Sequence, residues 1–168
     1  MSDPHSPRDA VQDDAIDLLA NDQDEIAELF QRYDALAEDG APSTDRRALA
    51  EELCSLLVVH GAIKEEIFYP AARNRIDEEY LIDEALVAQD SARSMIDDIQ
   101  AADSTEARYD ALVKMLKELV MLAFDQERSS LFPLVRESGL DLSALGAEMS
   151  ARQEILLTAD EDEETDPA

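Results

Sequence analysis

Six side chains able to ligate, ionise or hydrogen-bond sit where buried helix faces should be apolar: Gln23, His60, Lys64, Gln89, Arg93 and Glu127. Between residues 16 and 33 the apolar side chains step at 3–4 spacing through Ile16, Leu19, Ile26, Phe30 and Tyr33, and Gln23 stands in for the missing member. His60 interrupts a second stripe of Leu49, Leu53, Leu56, Ile63 and Ile67, with Lys64 one turn further on. Gln89 and Arg93 interrupt a third that holds Ile82, Leu86 and Ile96. A fourth stripe, Leu112, Leu116, Leu119, Ala123 and Gln126, carries the small Ala123 and the acidic Glu127 in the matching region. Each interruption falls near mid-helix. In an antiparallel bundle the middles meet at one level, so the polar groups are expected to converge in the core. An unpaired buried polar group costs about 1–3 kcal/mol. One shared polar site is therefore a more coherent reading than four separate costs. In it Gln23 faces His60, Gln89 and a Lys64–Glu127 ion pair.

The elements that must position these groups follow from periodicity and breakers. Residues 1–12 are polar, contain two prolines and are expected to form a loose, disordered arm; His5 lies there and has no assigned role. A first helix spans about Asp13 to Glu38 and ends at Gly40 and Pro42. The second runs from about Asp45 to Arg73, the third from Glu79 to Ala101, and the fourth from about Ser104 to Glu137, closing at Gly139. A fifth, about Leu142 to Leu157, has a thin apolar stripe of Leu145, Met149 and Leu156 and is expected to pack across one end. The acidic stretch 158–168 is expected to be a disordered tail. The fold class is all-α: an up-down-up-down antiparallel four-helix bundle over residues 13–157, with a short fifth C-terminal helix.

A short internal repeat links the second and fourth helices. "HGAIKEEIFYP" starts at His60 and "AFDQERSSLFP" at Ala123. Each ends in an aromatic residue and a proline, and each meets an arginine three residues later, Arg73 and Arg136. The offset of the repeat pairs Lys64 with Glu127 across the core.

Composition limits the functions on offer. Asp and Glu number 41 against 14 Lys and Arg, a formal charge of −27. Such a surface repels phosphate backbones and anionic lipid, which argues against nucleic-acid and membrane partners. Cys54, the single cysteine, cannot form an internal disulfide and is expected to pack in a helix. With no visible signal peptide and no apolar run of membrane length, the expected location is the cytoplasm. Glycine-rich phosphate loops, nucleophile elbows, CxxC and HExxH patterns are all missing from the sequence.

"DAIDLLANDQDEIAELF", "VVHGAIKEEIFYPAAR", "DEALVAQDSARSMI", "KELVMLAFDQERSSLFPLVR" and "SGLDLSALGAEMSARQEILL" together resemble successive segments of the bacterial hemerythrin-like HHE cation-binding domains. The resemblance covers roughly residues 13–157. It implies a helical bundle around a non-haem di-iron centre, held by histidines and two bridging carboxylates. Carried over by position, the first-helix histidine falls on Gln23, and the H-x-x-x-E pair of the second helix falls on His60 and Lys64. The third-helix positions fall on Gln89 and Arg93, the fourth-helix histidine pair on Leu122 and Ala123, and its carboxylate at or beside Glu127. Only His60 and Glu127 keep ligand chemistry.

The expected function is accordingly a hemerythrin-like bundle with a degenerate, metal-free di-iron site. It would act as a non-catalytic binding or regulatory module, with no cofactor and no enzyme activity. The side-chain cations of Lys64 and Arg93 would stand where metal charge would lie. The expected partner is an unknown protein or small molecule, and the chain a monomer or homodimer. One alternative is binding of non-haem iron or another cation through His60 and Glu127, helped by Glu65 or Asp90. The other is an enzyme using a desolvated Lys64 as base or nucleophile.

Overall fold

The computed structural model describes residues 13–164. Helix α1 (Ala15–Glu38) starts where the Asp14 carboxylate accepts the Asp17 N–H at 2.9 Å. It ends two residues before Gly40, whose φ of 66° turns the chain. Helix α2 is built in three joined parts: Ser43–Ile63, a π-helical turn Lys64–Phe68, and Tyr69–Arg73. Helix α3 is Glu79–Ala101. Helix α4 repeats the construction of α2, with Ala107–Gln126, a π turn Glu127–Leu131, and Phe132–Glu137 before Gly139. Helix α5 is Leu142–Glu164.

The two π turns sit at equivalent positions of the repeat, each just before an aromatic–proline pair. The Tyr69 N–H bonds back to the Lys64 carbonyl and the Phe132 N–H to the Glu127 carbonyl, five residues earlier in both cases. Pro70 and Pro133 explain them. A proline inside a helix lacks an N–H and presses on the carbonyl four residues back. Widening one turn relieves that pressure without breaking the rod.

Helices α1 and α2 form one hairpin and α3 and α4 another, and the pairs close a four-helix bundle through α1 against α4 and α2 against α3. Two apolar clusters fill it. One gathers Ile26, Phe30, Leu53, Leu116, Val120 and Phe124; the other gathers Ile16, Leu19, Ile63, Phe68, Ile82 and Leu131. Each fully buried Leu, Ile or Phe contributes about 1.5–3 kcal/mol. Both halves therefore carry enough burial to tolerate the layer between them, where Gln23, His60, Lys64 and Glu127 are all buried.

The fifth helix departs from expectation in two ways. It lies along α1 and α2 and does not cross an end of the bundle, with Arg152 on Glu66 of α2 and Gln153 on Asp22 of α1. It also runs to Glu164, well into the stretch expected to be a disordered tail. Its last turns lie beside Val58, Val59 and Ala62 of α2, and Thr158 Oγ1 donates back to the Glu154 and Ile155 carbonyls. Alanine, leucine and glutamate keep a helix going once one side has a surface to follow. The proposed arm, residues 1–12, and the last four residues of the tail lie outside the described residues. No described helix is long and apolar enough to cross a membrane.

Candidate functional site: a buried ion pair beside a core cavity

Lys64 and Glu127 open the two π turns and meet between them. Lys64 Nζ donates to Glu127 Oε1 at 2.8 Å, with both side chains almost wholly buried. The Tyr69 hydroxyl donates to the other carboxylate oxygen at 3.1 Å. Burial, and next the Glu127 charge, hold the Tyr69 hydroxyl far above the usual phenol range, so it remains a donor. The ammonium lies 5.6 Å from the Phe124 ring centre and 5.7 Å from that of Tyr69. One cation and one anion thus neutralise each other inside the bundle, within an aromatic collar.

His60, one turn before Lys64, packs edge-on against Phe124 with ring centres 5.3 Å apart. Its Nδ1 faces Asp22 Oδ2 at 3.4 Å, and that oxygen also accepts the Gln153 amide N–H at 2.8 Å. A carboxylate partner places the proton on Nδ1. Burial, then the Lys64 charge, hold the imidazole below its usual range, so the ring is neutral near pH 7. Nε2 then offers a lone pair, and it has no partner and no solvent contact.

Gln23 is buried as its place in the stripe requires, but its bond goes elsewhere than expected. Its Oε1 accepts from Arg128 Nε at 2.7 Å, and the same guanidinium reaches the Ala20 carbonyl and Asp24. Arg128 thereby clamps α1 to the π turn of α4. Gln23 Nε2 is buried without a partner.

Gln89 and Arg93 sit further out. Gln89 is half-buried, and its Nε2 donates to the Gly61 carbonyl at 2.8 Å and to Glu65 at 3.3 Å. Both of those groups are acceptors, which fixes the amide orientation and leaves Gln89 Oε1 as a buried acceptor with no partner. Arg93 is corrected: its side chain is 52% exposed and pairs with Glu65 and Asp90 at the surface, outside the core network. Glu65 and Asp90, weighed as cation ligands, are spent on that pairing.

Between α2, α3 and α4 these groups border a cavity of about 390 Å³ that opens to solvent past Val58, Glu65, Glu66 and Arg93. The buried His60, Lys64 and Glu127 give it a polar part, while Ala88, Ala92 and Ala123 line it with small side chains. Gly61 contributes by absence, since a Cβ there would come 3.0 Å from Gln89 Nε2. The expected fourth stripe is also rotated by about one residue. Leu116 is buried as expected, but its buried companions are Val113, Val120 and Phe124; Leu112, Leu119 and Ala123 are half-buried, and Gln126 is exposed. Cys54 is buried among apolar neighbours, and burial, then Glu51, pushes its thiol up to about 12.

Stripe counting missed Asp22, Tyr69, Arg128 and Gln153. Tyr69 alone carried a signal, as the aromatic residue that ends the repeat.

A family model described as the hemerythrin HHE cation binding domain matches residues 14–135. The crystal structure of a hemerythrin HHE cation binding domain-containing protein from Mycobacterium kansasii superposes with a TM-score of 0.73. Sequence identity is 22%, and the match covers 88% of this chain and 89% of that one. That likeness concerns the fold. A comparison with curated proteins returned no significant match.

Proposed function

The chain belongs to the hemerythrin HHE cation-binding domain family, and we propose that it uses the family's bundle as a metal-free, non-catalytic binding module. The observation that carries this reading is the Lys64–Glu127 pair, buried and 2.8 Å apart at the edge of a 390 Å³ cavity. A di-metal centre needs several imidazoles and carboxylates converging with their lone pairs free. Here the carboxylate of Glu127 is taken by an ammonium and a phenol, and the residue one turn after His60 is that ammonium. Among the described residues, no three His, Cys, Asp or Glu side chains gather into a group that could hold a metal ion. The donor set does not fit the family's iron pair, and no step is assigned to a metal. The same pairing speaks against Lys64 as a base or nucleophile, since its ammonium is held by a counter-charge.

Elemental analysis of the full-length protein, after incubation with ferrous iron and gel filtration, tests the proposal. Iron should be far below one per chain, and the near-ultraviolet bands of an oxo-bridged centre should be missing. Stoichiometric iron surviving the column would overturn the reading in favour of a cation site at His60 and Glu127. Combining Gln23→His, Lys64→Glu, Gln89→His and Ala123→His should restore measurable iron binding. Arg93 is left alone because it lies at the surface.

A further inference from the structure

We propose that the cavity between α2, α3 and α4 binds a neutral, compact amphiphile: an apolar body of ring size carrying a hydroxyl or N–H that donates toward His60 and Gln89. This rests on the binding-module reading above and adds to it the class of ligand.

Size and wall chemistry set the body. A volume of about 390 Å³ lies at the lower end of the range for small-molecule sites. The wall offers alanines, Leu57, Ile96, Val120 and the Phe124 ring, which suit a flat apolar group.

Unmatched hydrogen-bonding capacity sets the head group. Among the side chains bordering the cavity, the atoms left buried without partners are His60 Nε2 and Gln89 Oε1. Both accept, given the Asp22 contact that takes the Nδ1 proton and the two acceptors that hold the Gln89 amide. The Gln89 amide N–H groups are directed to Gly61 and Glu65, and Lys64 is committed to Glu127. Both atoms lie behind the cavity wall with no accessible surface of their own, so a ligand reaches them only by shifting the His60 ring or the Gln89 amide, and it must then bring the donor. Charge sets the rest. The lining holds Glu65, Glu66 and Glu127 against Lys64 and Arg93, on a chain of formal charge −27. A carboxylate would bring only acceptors to acceptors beside excess negative charge. An ammonium would lose its hydration with Glu127 already paired.

The test is an NMR titration of full-length, isotope-labelled protein whose iron content is measured on the same sample. The probes are phenol, anisole, benzoate and benzylamine. Phenol should saturate a single site, with shifts centred on residues of α2, α3 and α4 around the cavity. Anisole, the same ring without a donor, should bind roughly tenfold more weakly. Both charged probes should bind more weakly than phenol. Ala92→Phe should abolish phenol binding; if circular dichroism shows that variant unfolded, Ala123→Phe fills the cavity from the opposite wall. His60→Leu should narrow the gap between phenol and anisole. Equal affinity for phenol and anisole, or tighter binding of either charged probe, would overturn the ligand class. Binding that survives a folded cavity-filling variant would overturn the location. Iron-free protein that binds none of the four probes would overturn this inference and leave the module reading standing. Stoichiometric iron would remove both.

Discussion

Glu127→Gln should be among the most damaging single substitutions in the chain. It keeps the shape and an acceptor for Tyr69, but it leaves the Lys64 ammonium without a counter-charge at a site almost sealed from solvent. Breaking a buried pair costs about 3–5 kcal/mol. Lys64→Met strands the carboxylate instead. It also leaves Tyr69 in place as a donor, so its loss should be the smaller. Joining Lys64→Met to Glu127→Leu removes both charges but orphans the Tyr69 hydroxyl, leaving a residue of about 1–3 kcal/mol. Adding Tyr69→Phe should remove most of that residue. Urea unfolding followed by far-ultraviolet circular dichroism measures all four variants. Losses of Lys64→Met and of Glu127→Leu alone, measured the same way, that add to within about 0.5 kcal/mol in the double variant would refute direct coupling. Two single losses each below about 0.5 kcal/mol would show that solvent reaches the pair.

Other expectations follow from single features. Because burial depresses the His60 pKa below its unfolded value, its neutral form contributes stability that is present above about pH 6.5 and lost as pH falls below that range. His60→Gln should flatten the stability difference between pH 7 and 5 relative to the parent, and an unchanged slope would show that the ring is not desolvated. A Cβ at Gly146 would lie 2.8 Å from backbone atoms of Asp13, Asp14 and Ala15, which cannot swing aside. Gly146→Ala should therefore cost about 1–3 kcal/mol in a urea titration despite alanine's better helix propensity; a gain would show that α5 shifts freely against α1. If the chain self-associates through its acidic faces, sedimentation should show the association weakening as salt is lowered. A dimer that tightens at low salt would contradict that charge argument.

The four bundle helices were legible because large apolar residues at 3–4 spacing, with Gly40 and Gly139 as stops, leave few choices. The pairing of positions 64 and 127 was legible because the repeat fixes their offset. What stayed hidden was rotational. In α3 the inward face at mid-helix is made of Ala85, Ala88 and Ala92, too small to register in a stripe of leucines and isoleucines. Arg93 was therefore drawn inward by Leu86 and Ile96, while the structure turns it to solvent. In α4 the expected and true stripes share Leu116, but the buried residues around it are Val113, Val120 and Phe124, each one residue away from Leu112, Leu119 and Ala123. Arg128 was invisible for another reason: a guanidinium beside a buried glutamate looks like surface until its partner helix is known.

The paired π turns also set what lengths this chain can tolerate. Each turn is in effect one surplus residue threaded into an otherwise regular rod. Deleting a residue within Lys64–Phe68 would let the helix close into ordinary α geometry. Because the wide turn has already absorbed that residue's rotation of about 100°, everything beyond would keep its phase against everything before. Tyr69 would stay near Glu127 and Arg73 near Asp83. The regular α segments have no such slack. One residue fewer within Ser43–Ile63 would rotate Lys64 by about 100° away from Glu127, and one fewer within Ala107–Gln126 would rotate Glu127 away from Lys64. The two π turns are thus the points at which these rods can shed a residue, while the segments leading into them are fixed in length by the ion pair.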